Sequence, residues 1–294
     1  MKLTVIGKSG QLARALIKQG PLLNCDVSAY DRAACDLSAP PAAIEKFVQE
    51  LTTDGVIIAA AYTQVDQAET EYDLALQVNA AAPGAIAKAC AQRGLPLVHI
   101  STDYVFSGEA SAPYETDHTI DPINAYGRSK YGGEQAVMDA HEKAAVLRTS
   151  WVFDGTGKNF MTTMLRLAQS RPELSVVADQ IGRPTYAGHL ARAALQSIKA
   201  LEGGSPAAQG IFHATGTGHP VSWADFARAI FERAAADLPH KMKVTSIPSS
   251  AYPTPAKRPA YSVLETSKFD SAVEALPDWK TGLEQAYAEW KQAQ

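Results

Sequence analysis

The chain has 294 residues, enough for one large or two moderate domains, and its formal net charge of -4, without any basic run, argues against a nucleic-acid partner. No stretch approaches the ~18 apolar residues of a membrane helix, and the amino terminus enters a predicted strand rather than a signal peptide, so we expect a cytoplasmic protein without membrane contact. The three cysteines, Cys25, Cys35 and Cys90, have no paired short spacing, which predicts neither a disulfide framework nor a metal site.

The first predicted strand and helix are joined by a glycine-containing loop. Residues 1–6 read as a short buried strand, and Gly7-Lys8-Ser9-Gly10-Gln11-Leu12-Ala13 follows with the spacing G-x-x-G-x-x-A. Small residues at these positions let the backbone turn tightly and approach a pyrophosphate, which the unpaired amides of the new helix can bind. A second predicted strand, 26–30, ends at Asp31-Arg32, about the right distance on for a ribose contact. This pattern predicts a dinucleotide site.

The residues after the second strand give opposing signals about the coenzyme. Asp31 is placed to accept hydrogen bonds from a free ribose hydroxyl and to repel a 2′-phosphate, which favours NADH. Arg32 and Lys8 offer two positive charges to that phosphate, although each is weakened by solvent screening. We therefore expect both coenzymes to work, with NADPH preferred by roughly tenfold, or about 1.4 kcal/mol, at most.

Strands and helices alternate through the first half of the chain. The predicted elements are a helix from Pro40-Pro41 through Leu51, an apolar strand at 55–61, a helical stretch at 66–90 ending before Gly94, a strand ending at Ser101, a helix around 126–130 and a strand at 145–149. This βαβ repetition predicts a Rossmann-type, doubly wound parallel sheet in the α/β class. Ligands would bind at the carboxyl ends of its strands, where Gly7, Ala60, Thr102 and Ser150 fall.

The pattern loosens beyond Trp151. Predicted helices at 159–169, 189–200 and 223–235 accompany strands at 174–177 and 211–214, and a proline-rich segment runs from Pro248 to Pro259. We expect residues 1–150 to form the coenzyme domain, with its sheet completed by about 187–214. Residues 151–186 and 215–294 would then form a smaller, interleaved substrate-binding part.

Three side chains in the middle of the chain suit carbonyl reduction. Tyr126 and Lys130 are four residues apart, so on a helix the ammonium can lie beneath the phenol and favour its ionised form. Thr102, at the end of a strand, supplies a second hydroxyl to a carbonyl oxygen. The same tyrosine-lysine spacing occurs at Tyr287 and Lys291, where an amphipathic packing helix is the better interpretation.

Several longer segments carry a family resemblance over nearly the whole chain. They are GKSGQLA at 7–13, AAYTQVDQAE at 60–69, STDYVFSG at 101–108, NAYGRSKYGGE at 124–134, LRTSWVF at 147–153, DQIGRPTY at 179–186 and KRPAYSVLETSK at 257–268. With these segments the chain resembles the extended short-chain dehydrogenase/reductase superfamily and, within it, the dTDP-4-dehydrorhamnose reductase family.

The resemblance implies roles for individual residues. Tyr126 would be the general acid, Lys130 would hold the coenzyme ribose and lower the proton affinity of the tyrosine, and Thr102 would bind the sugar carbonyl. The expected coenzyme-binding residues are Gly7, Gly10, Gln11, Leu12, Asp31, Arg32, Asp36, Leu37, Ala59, Ala60, Tyr62, Tyr126 and Lys130. The expected substrate-binding residues are Thr102, Asp103, Tyr104, Phe106, Tyr126, Trp151 and Arg258, the last near the nucleotide diphosphate.

The implied activity is reduction of the 4-keto group of dTDP-4-dehydro-6-deoxy-L-mannose to dTDP-L-rhamnose, the last step in making a precursor of lipopolysaccharide and cell-wall polysaccharides. Product stereochemistry stays open, because a 6-deoxytalose form results from hydride attack on the other face. A regulatory subunit of the methionine adenosyltransferase partner type shares the fold and is an alternative. A dehydratase is disfavoured, because those relatives have glutamate where Tyr104 stands.

One departure from the family concerns assembly. Some relatives have an acidic residue at the position of Ala15, where it supports a metal-bridged dimer. We therefore expect no metal in this chain, and a monomer or weak homodimer.

Overall fold

The structure, a computed structural model, describes residues 1–294 and alternates strands with helices along most of the chain. The strands are β1 Lys2–Ile6, β2 Asp26–Tyr30, β3 Gly55–Ile58, β4 Leu97–Thr102, β5 Ala144–Thr149, β6 Val152–Phe153, β7 Glu173–Val177, β8 Ile181–Gly182, β9 Thr185–Tyr186, β10 Gly210–His213, β11 Val221–Ser222 and β12 Lys243–Ile247. The helices are α1 Gln11–Gln19, α2 Pro41–Gln49, α3 Tyr72–Leu76, α4 Ala82–Arg93, α5 Ala125–Ala140, α6 Phe160–Ala168, α7 Ala187–Glu202, α8 Trp223–Arg233, α9 Ser267–Ala272 and α10 Trp279–Gln292. None of these helices is long and apolar enough to cross a membrane.

Six strands form a parallel sheet in the order β10-β5-β4-β3-β1-β2. The strand order changes direction between β1 and β3, and in such sheets the crevice at the switch point receives the ligand. This architecture confirms the predicted Rossmann-type, doubly wound fold. The edge strand β10 also comes from the part of the chain that was predicted to complete the sheet.

Alternation of side chains along the strands builds a core on each face of the sheet. Leu3 and Val5 of β1 pack with α1 and α7 on one face, whereas Ile6 packs with α2 and α4 on the other. All four residues of β3 are buried, because helices cover both faces of the strand. The central strands are thereby buried between two layers of helices beneath the crevice.

A third core lies outside the sheet. It joins α6, α8 and α10 around large side chains that include Phe153, Phe226 and Trp279. In contrast, Phe269 of α9 and Leu276 pack into the core of the sheet, although both follow residue 215. The carboxyl-terminal segment therefore contributes to two cores.

The segment 66–93, predicted as a helical stretch with a break near Pro83, is divided into several short turns and helices. A 3₁₀ turn at Gln67–Glu69, the short helix α3 and a π-helical turn at Gln77–Ala81 precede α4. Pro83 lies in the first turn of α4, where its missing N–H loses no helical hydrogen bond. Within the π turn the buried Asn79 side chain bonds both backbone groups of Tyr62 and donates to Ser129. The irregular turn thus ties the loop after β3 to α5.

The proline-rich segment 248–259 lies against the body of the protein, with one 3₁₀ turn at Ser249–Ala251. The Asn124 side chain donates to the carbonyl of Lys257 at 2.8 Å, and the amide of Ala256 donates to Asp66 at 3.1 Å. These bonds fasten the segment beside the start of α5.

Candidate active site

A cavity of about 650 Å³ opens at the carboxyl edge of the sheet. It extends from the glycine loop at Ser9 and Gly10, past Tyr126 and Lys130, to a wall that includes Trp151. Of the residues predicted to bind coenzyme or substrate, those that line it are Gly10, Gln11, Leu12, Ala59, Ala60, Thr102, Asp103, Tyr104, Tyr126, Lys130 and Trp151. Residues far apart in sequence are therefore brought together at one crevice.

The glycine loop leaves the start of α1 open to the cavity. Gly7 has φ +111°, and a Cβ there would lie 3.0 Å from the amide nitrogen of Ala60, so glycine allows the ends of β1 and β3 to approach. Gly10 precedes α1 without a side-chain cap, and nothing lies within 4 Å of its Cβ position. The first amides of α1 therefore remain available to an anion. This arrangement fits the pyrophosphate of a dinucleotide.

The end of β4 turns sharply into a 3₁₀ turn at Asp103–Val105. The Thr102 hydroxyl accepts from the amide of Tyr104 at 3.2 Å and donates to Asp103 Oδ1 at 3.0 Å. Burial raises the pKa of Asp103 to about 6, against hydrogen bonds from Ser262 and Thr102 that lower it. The turn therefore presents a hydroxyl and a carboxyl whose pKa is raised to about 6.

Tyr126 stands in the first turn of α5, which begins at a capped end. The Asn124 side chain accepts from the amide of Gly127 at 2.8 Å and fixes that end. Burial raises the pKa of Tyr126 to about 12, while contact with the Thr102 hydroxyl lowers it and the charge of Asp103 raises it. The phenol is therefore protonated at neutral pH, as a proton donor must be.

Lys130 lies one turn further along α5 and is buried. Its ammonium donates to the carbonyl of Ile100 at 2.7 Å and lies 3.3 Å from His99 Nε2. Burial lowers the pKa of Lys130 to about 8, and the nearby Glu134 raises it. Burial is the largest cause of the raised pKa of Tyr126, and the predicted lowering of that pKa by the Lys130 ammonium stays a prediction.

Two tryptophans form one wall of the cavity. Trp151 has a left-handed backbone, with φ 49°, and its ring stacks on Trp223 with centroids 3.5 Å apart. Trp223 was not predicted as a site residue. Ser222 and Asp225 form a capping box that marks the start of α8, but this signal places a helix end and says nothing about a cavity.

Two predicted substrate residues lie away from the cavity lining. Phe106 is fully buried, stacks on Tyr114 with centroids 4.3 Å apart and contacts the guanidinium of Arg148, so it packs the interior rather than facing a ligand. Arg258 holds Asp66 through two hydrogen bonds, of 2.5 and 2.9 Å. Its guanidinium fastens the proline-rich segment beside the cavity.

The residues after β2 bond to one another at the surface. Asp31 accepts from the amides of Ala33 and Ala34, at 3.1 and 3.2 Å. Arg32 pairs with Asp36 at 3.2 Å, with 77% of the arginine side chain exposed. None of these three side chains lines the cavity, and neither do Gly7 and Tyr62. Leu37 is buried in the core beneath α2.

The fold and the cavity, with Thr102, Tyr126 and Lys130 beside an open glycine loop, together define an extended short-chain dehydrogenase/reductase. A family model described as the RmlD substrate binding domain matches residues 1–292. The dTDP-4-dehydrorhamnose reductase of Escherichia coli K12 is 40% identical over 291 residues, 96% of each chain. That of Mycolicibacterium smegmatis is 42% identical over 290 residues, 98% of this chain and 85% of the relative.

Solved structures agree with the sequence comparison. The crystal structure of dTDP-4-dehydrorhamnose reductase from Bacillus anthracis, in complex with NADP, matches with a TM-score of 0.90 and 37% identity, covering 98% of this chain and 99% of that chain. The enzyme from Clostridium acetobutylicum matches with a TM-score of 0.91 and 37% identity, covering 99% and 100%. The chain therefore belongs to the dTDP-4-dehydrorhamnose reductase family, which confirms the resemblance read from its motifs.

Proposed function

We propose that this chain reduces the 4-keto group of dTDP-4-dehydrorhamnose to give dTDP-L-rhamnose, with NADPH as the preferred coenzyme. Family membership supports the substrate and coenzyme. The observation that carries the proposal is the convergence of Thr102, Tyr126 and Lys130 on the cavity that also receives the open end of α1. A carbonyl placed there meets two hydroxyl donors and a buried ammonium.

The proposed chemistry assigns one task to each of these side chains. The bound coenzyme supplies a hydride to the carbonyl carbon. Tyr126 gives its phenolic proton to the carbonyl oxygen. The Thr102 hydroxyl, which donates to Asp103 Oδ1 in the structure, turns to donate a hydrogen bond to the same oxygen as negative charge develops there. The Lys130 ammonium stabilises the phenolate that remains and holds the coenzyme ribose. Solvent then returns a proton to the tyrosine.

The rest of the cavity suits a nucleotide sugar. The stacked Trp151 and Trp223 offer a flat apolar wall to a sugar ring. Arg258 lies beside Tyr104, whose ring forms part of the cavity wall. We propose that its planar guanidinium reaches the diphosphate at the rim while Asp66 holds it in position.

We also propose the division of the chain into a coenzyme domain of residues 1–150 with 187–214 and a substrate part of residues 151–186 and 215–294. The separate core around α6, α8 and α10 supports this division. Within the substrate part, Phe269 of α9 packs into the core of the sheet and links the two parts.

For the cellular setting we propose a cytoplasmic enzyme, which accords with three free, buried cysteines. We propose a monomer or weak homodimer, because Ala15 cannot supply the acidic ligand that bridges some relatives. Sedimentation with and without Mg²⁺ tests this: a tight, metal-dependent dimer would contradict it.

The function is tested by following NADPH absorbance when the purified protein meets a dTDP-4-keto-6-deoxysugar. With this substrate present, the protein is expected to oxidise NADPH without any partner subunit. A regulatory subunit would bind the coenzyme without consuming it. Proton NMR of the product distinguishes the rhamnose from the talose configuration at the reduced carbon.

A further inference from the structure

A histidine lies in the middle of the sheet, directly behind the site. His99 is fully buried in β4, where it pairs in register with Ile58 of β3 and Val146 of β5. A polar ring buried between Val98 and Ile100 of a central strand costs solvation free energy unless it makes a specific contact. The His99 ring makes such a contact with the ammonium of Lys130.

The Nε2 atom of His99 lies 3.3 Å from Lys130 Nζ. Burial, and then the neighbouring ammonium, hold the pKa of His99 well below its ordinary value, so the ring is neutral. A neutral ring beside an ammonium must present its lone pair, which places the ring proton on Nδ1. That nitrogen has no protein partner, so the only polar contact of the ring is the one with Lys130.

We propose that His99 is a positioning residue for Lys130, with its Nε2 lone pair and the Ile100 carbonyl together fixing the ammonium so that its third N–H faces the coenzyme ribose and Tyr126. This inference rests on the proposed reductase function. An ammonium has three donors, and these two fixed acceptors on β4 leave one for the cavity.

The charged groups around Lys130 explain why a neutral acceptor suits this position. Glu134 follows on α5, but its carboxylate is already held by Arg148 of β5 at 2.7 and 2.9 Å and by Ser101 at 2.5 Å. A carboxylate in place of His99 would neutralise the ammonium. An imidazole orients it and leaves its charge available to the phenolate that forms on Tyr126.

Three substitutions separate this role from simple packing. In His99→Gln the amide oxygen can reach the place of Nε2, in His99→Asn the shorter amide cannot, and His99→Leu removes the acceptor altogether. Loss of one hydrogen bond to a charged group should lower kcat about tenfold in the Asn and Leu variants. The Gln variant should recover most of that loss.

The pH profile gives a readout that packing alone would not move. Lys130 is active as an ammonium, so activity falls as pH rises through its pKa, which is about 8. Without the acceptor the ammonium is less stable, so in His99→Leu the alkaline limb of kcat should move to lower pH. The control is His141→Gln, which removes a buried ring bonded to the Leu95 carbonyl away from the cavity and should leave the profile unchanged.

A measurement that needs no turnover separates this inference from the assigned reaction. In ¹⁵N-histidine NMR of the free protein, His99 should stay neutral with its proton on Nδ1 from about pH 6 to 8, and its Nε2 resonance should shift in Lys130→Met. An Nε2-protonated ring, or an unchanged alkaline limb in folded His99→Leu, would overturn the proposal. An inactive wild type with the expected NMR signature would instead refute only the assigned reaction.

Discussion

Trp151 and Trp223 stack with their ring planes only 6° apart, although one follows β5 and the other opens α8. Gly182 lies against this pair, and a Cβ there would come within 2.6 Å of the Trp151 ring. The left-handed backbone of Trp151 is thus held by the packing of its indole against Trp223 and Gly182. This geometry sets the wall against which we propose that the sugar binds.

Removing the Trp223 ring that stacks on Trp151 should weaken substrate binding. We expect Trp223→Ala to raise the KM for the dTDP-sugar roughly three- to tenfold, because a stacked aromatic pair contributes about 0.5–1.5 kcal/mol. Trp290→Ala is the control, since it removes a stacked tryptophan from α10 instead. An equal rise in KM for both variants would mean that general destabilisation is the cause.

Asp103 should make stability depend on pH. Its pKa is raised by burial to about 6, so between about pH 4 and 6 the folded protein retains a proton that the unfolded chain has released. The contribution of Asp103 to the free energy of unfolding therefore falls as pH rises through this window, by on the order of 3 kcal/mol. Relative to wild type, Asp103→Asn should gain stability from pH 4 to pH 7 in urea denaturation. A constant difference would show that the carboxyl titrates normally.

Arg258 provides a test of the substrate class. Arg258→Ala should raise the KM for the dTDP-sugar more than it lowers kcat, if the guanidinium contacts the diphosphate equally in the ground and transition states. Lys257→Ala changes the neighbouring exposed cation and should leave KM unaltered. An unchanged KM in Arg258→Ala would limit that residue to anchoring the proline-rich segment through Asp66.

We expect coenzyme preference to depend on the Arg32 guanidinium, which is paired with Asp36. Arg32→Ala should lower the ratio of kcat/KM for NADPH to that for NADH, and Asp36→Asn should raise it by releasing Arg32. The effects should be no more than roughly tenfold, because the pair is exposed to solvent. If wild type prefers NADH, or if Arg32→Ala leaves the ratio unchanged, Asp31 governs the site instead.

Local sequence patterns were sufficient to predict the sheet and the centre of the site. The G-x-x-G-x-x-A loop, the polar end of β4 and the tyrosine-lysine spacing each lie within one strand-to-helix unit, where backbone geometry decides which residues meet. Family resemblance then extended the prediction to Trp151 and Arg258. The predicted domain division and the individual ligand contacts remain proposals.

Contacts between distant segments were beyond the reach of those patterns. Trp223 meets Trp151 only after α6 and α8 have packed, and Phe106 turns inward because Tyr114 and Arg148 enclose it. The buried environment of Tyr126 and the acceptors around Lys130 likewise depend on the assembled sheet. For this reason the spacing predicted the proximity of Tyr126 and Lys130 but not the burial that raises the pKa of the phenol.

The most direct test of the account is Tyr126→Phe, which keeps the ring and removes the proton donor. Turnover of the dTDP-4-ketosugar should fall by ~10²–10⁴-fold, the usual contribution of a general acid. The Kd for NADPH, measured by fluorescence titration, should stay within about twofold, because the phenol is assigned to proton transfer rather than to coenzyme affinity. Activity within a few-fold of wild type, with the coenzyme still bound, would contradict the assignment of Tyr126 as the acid.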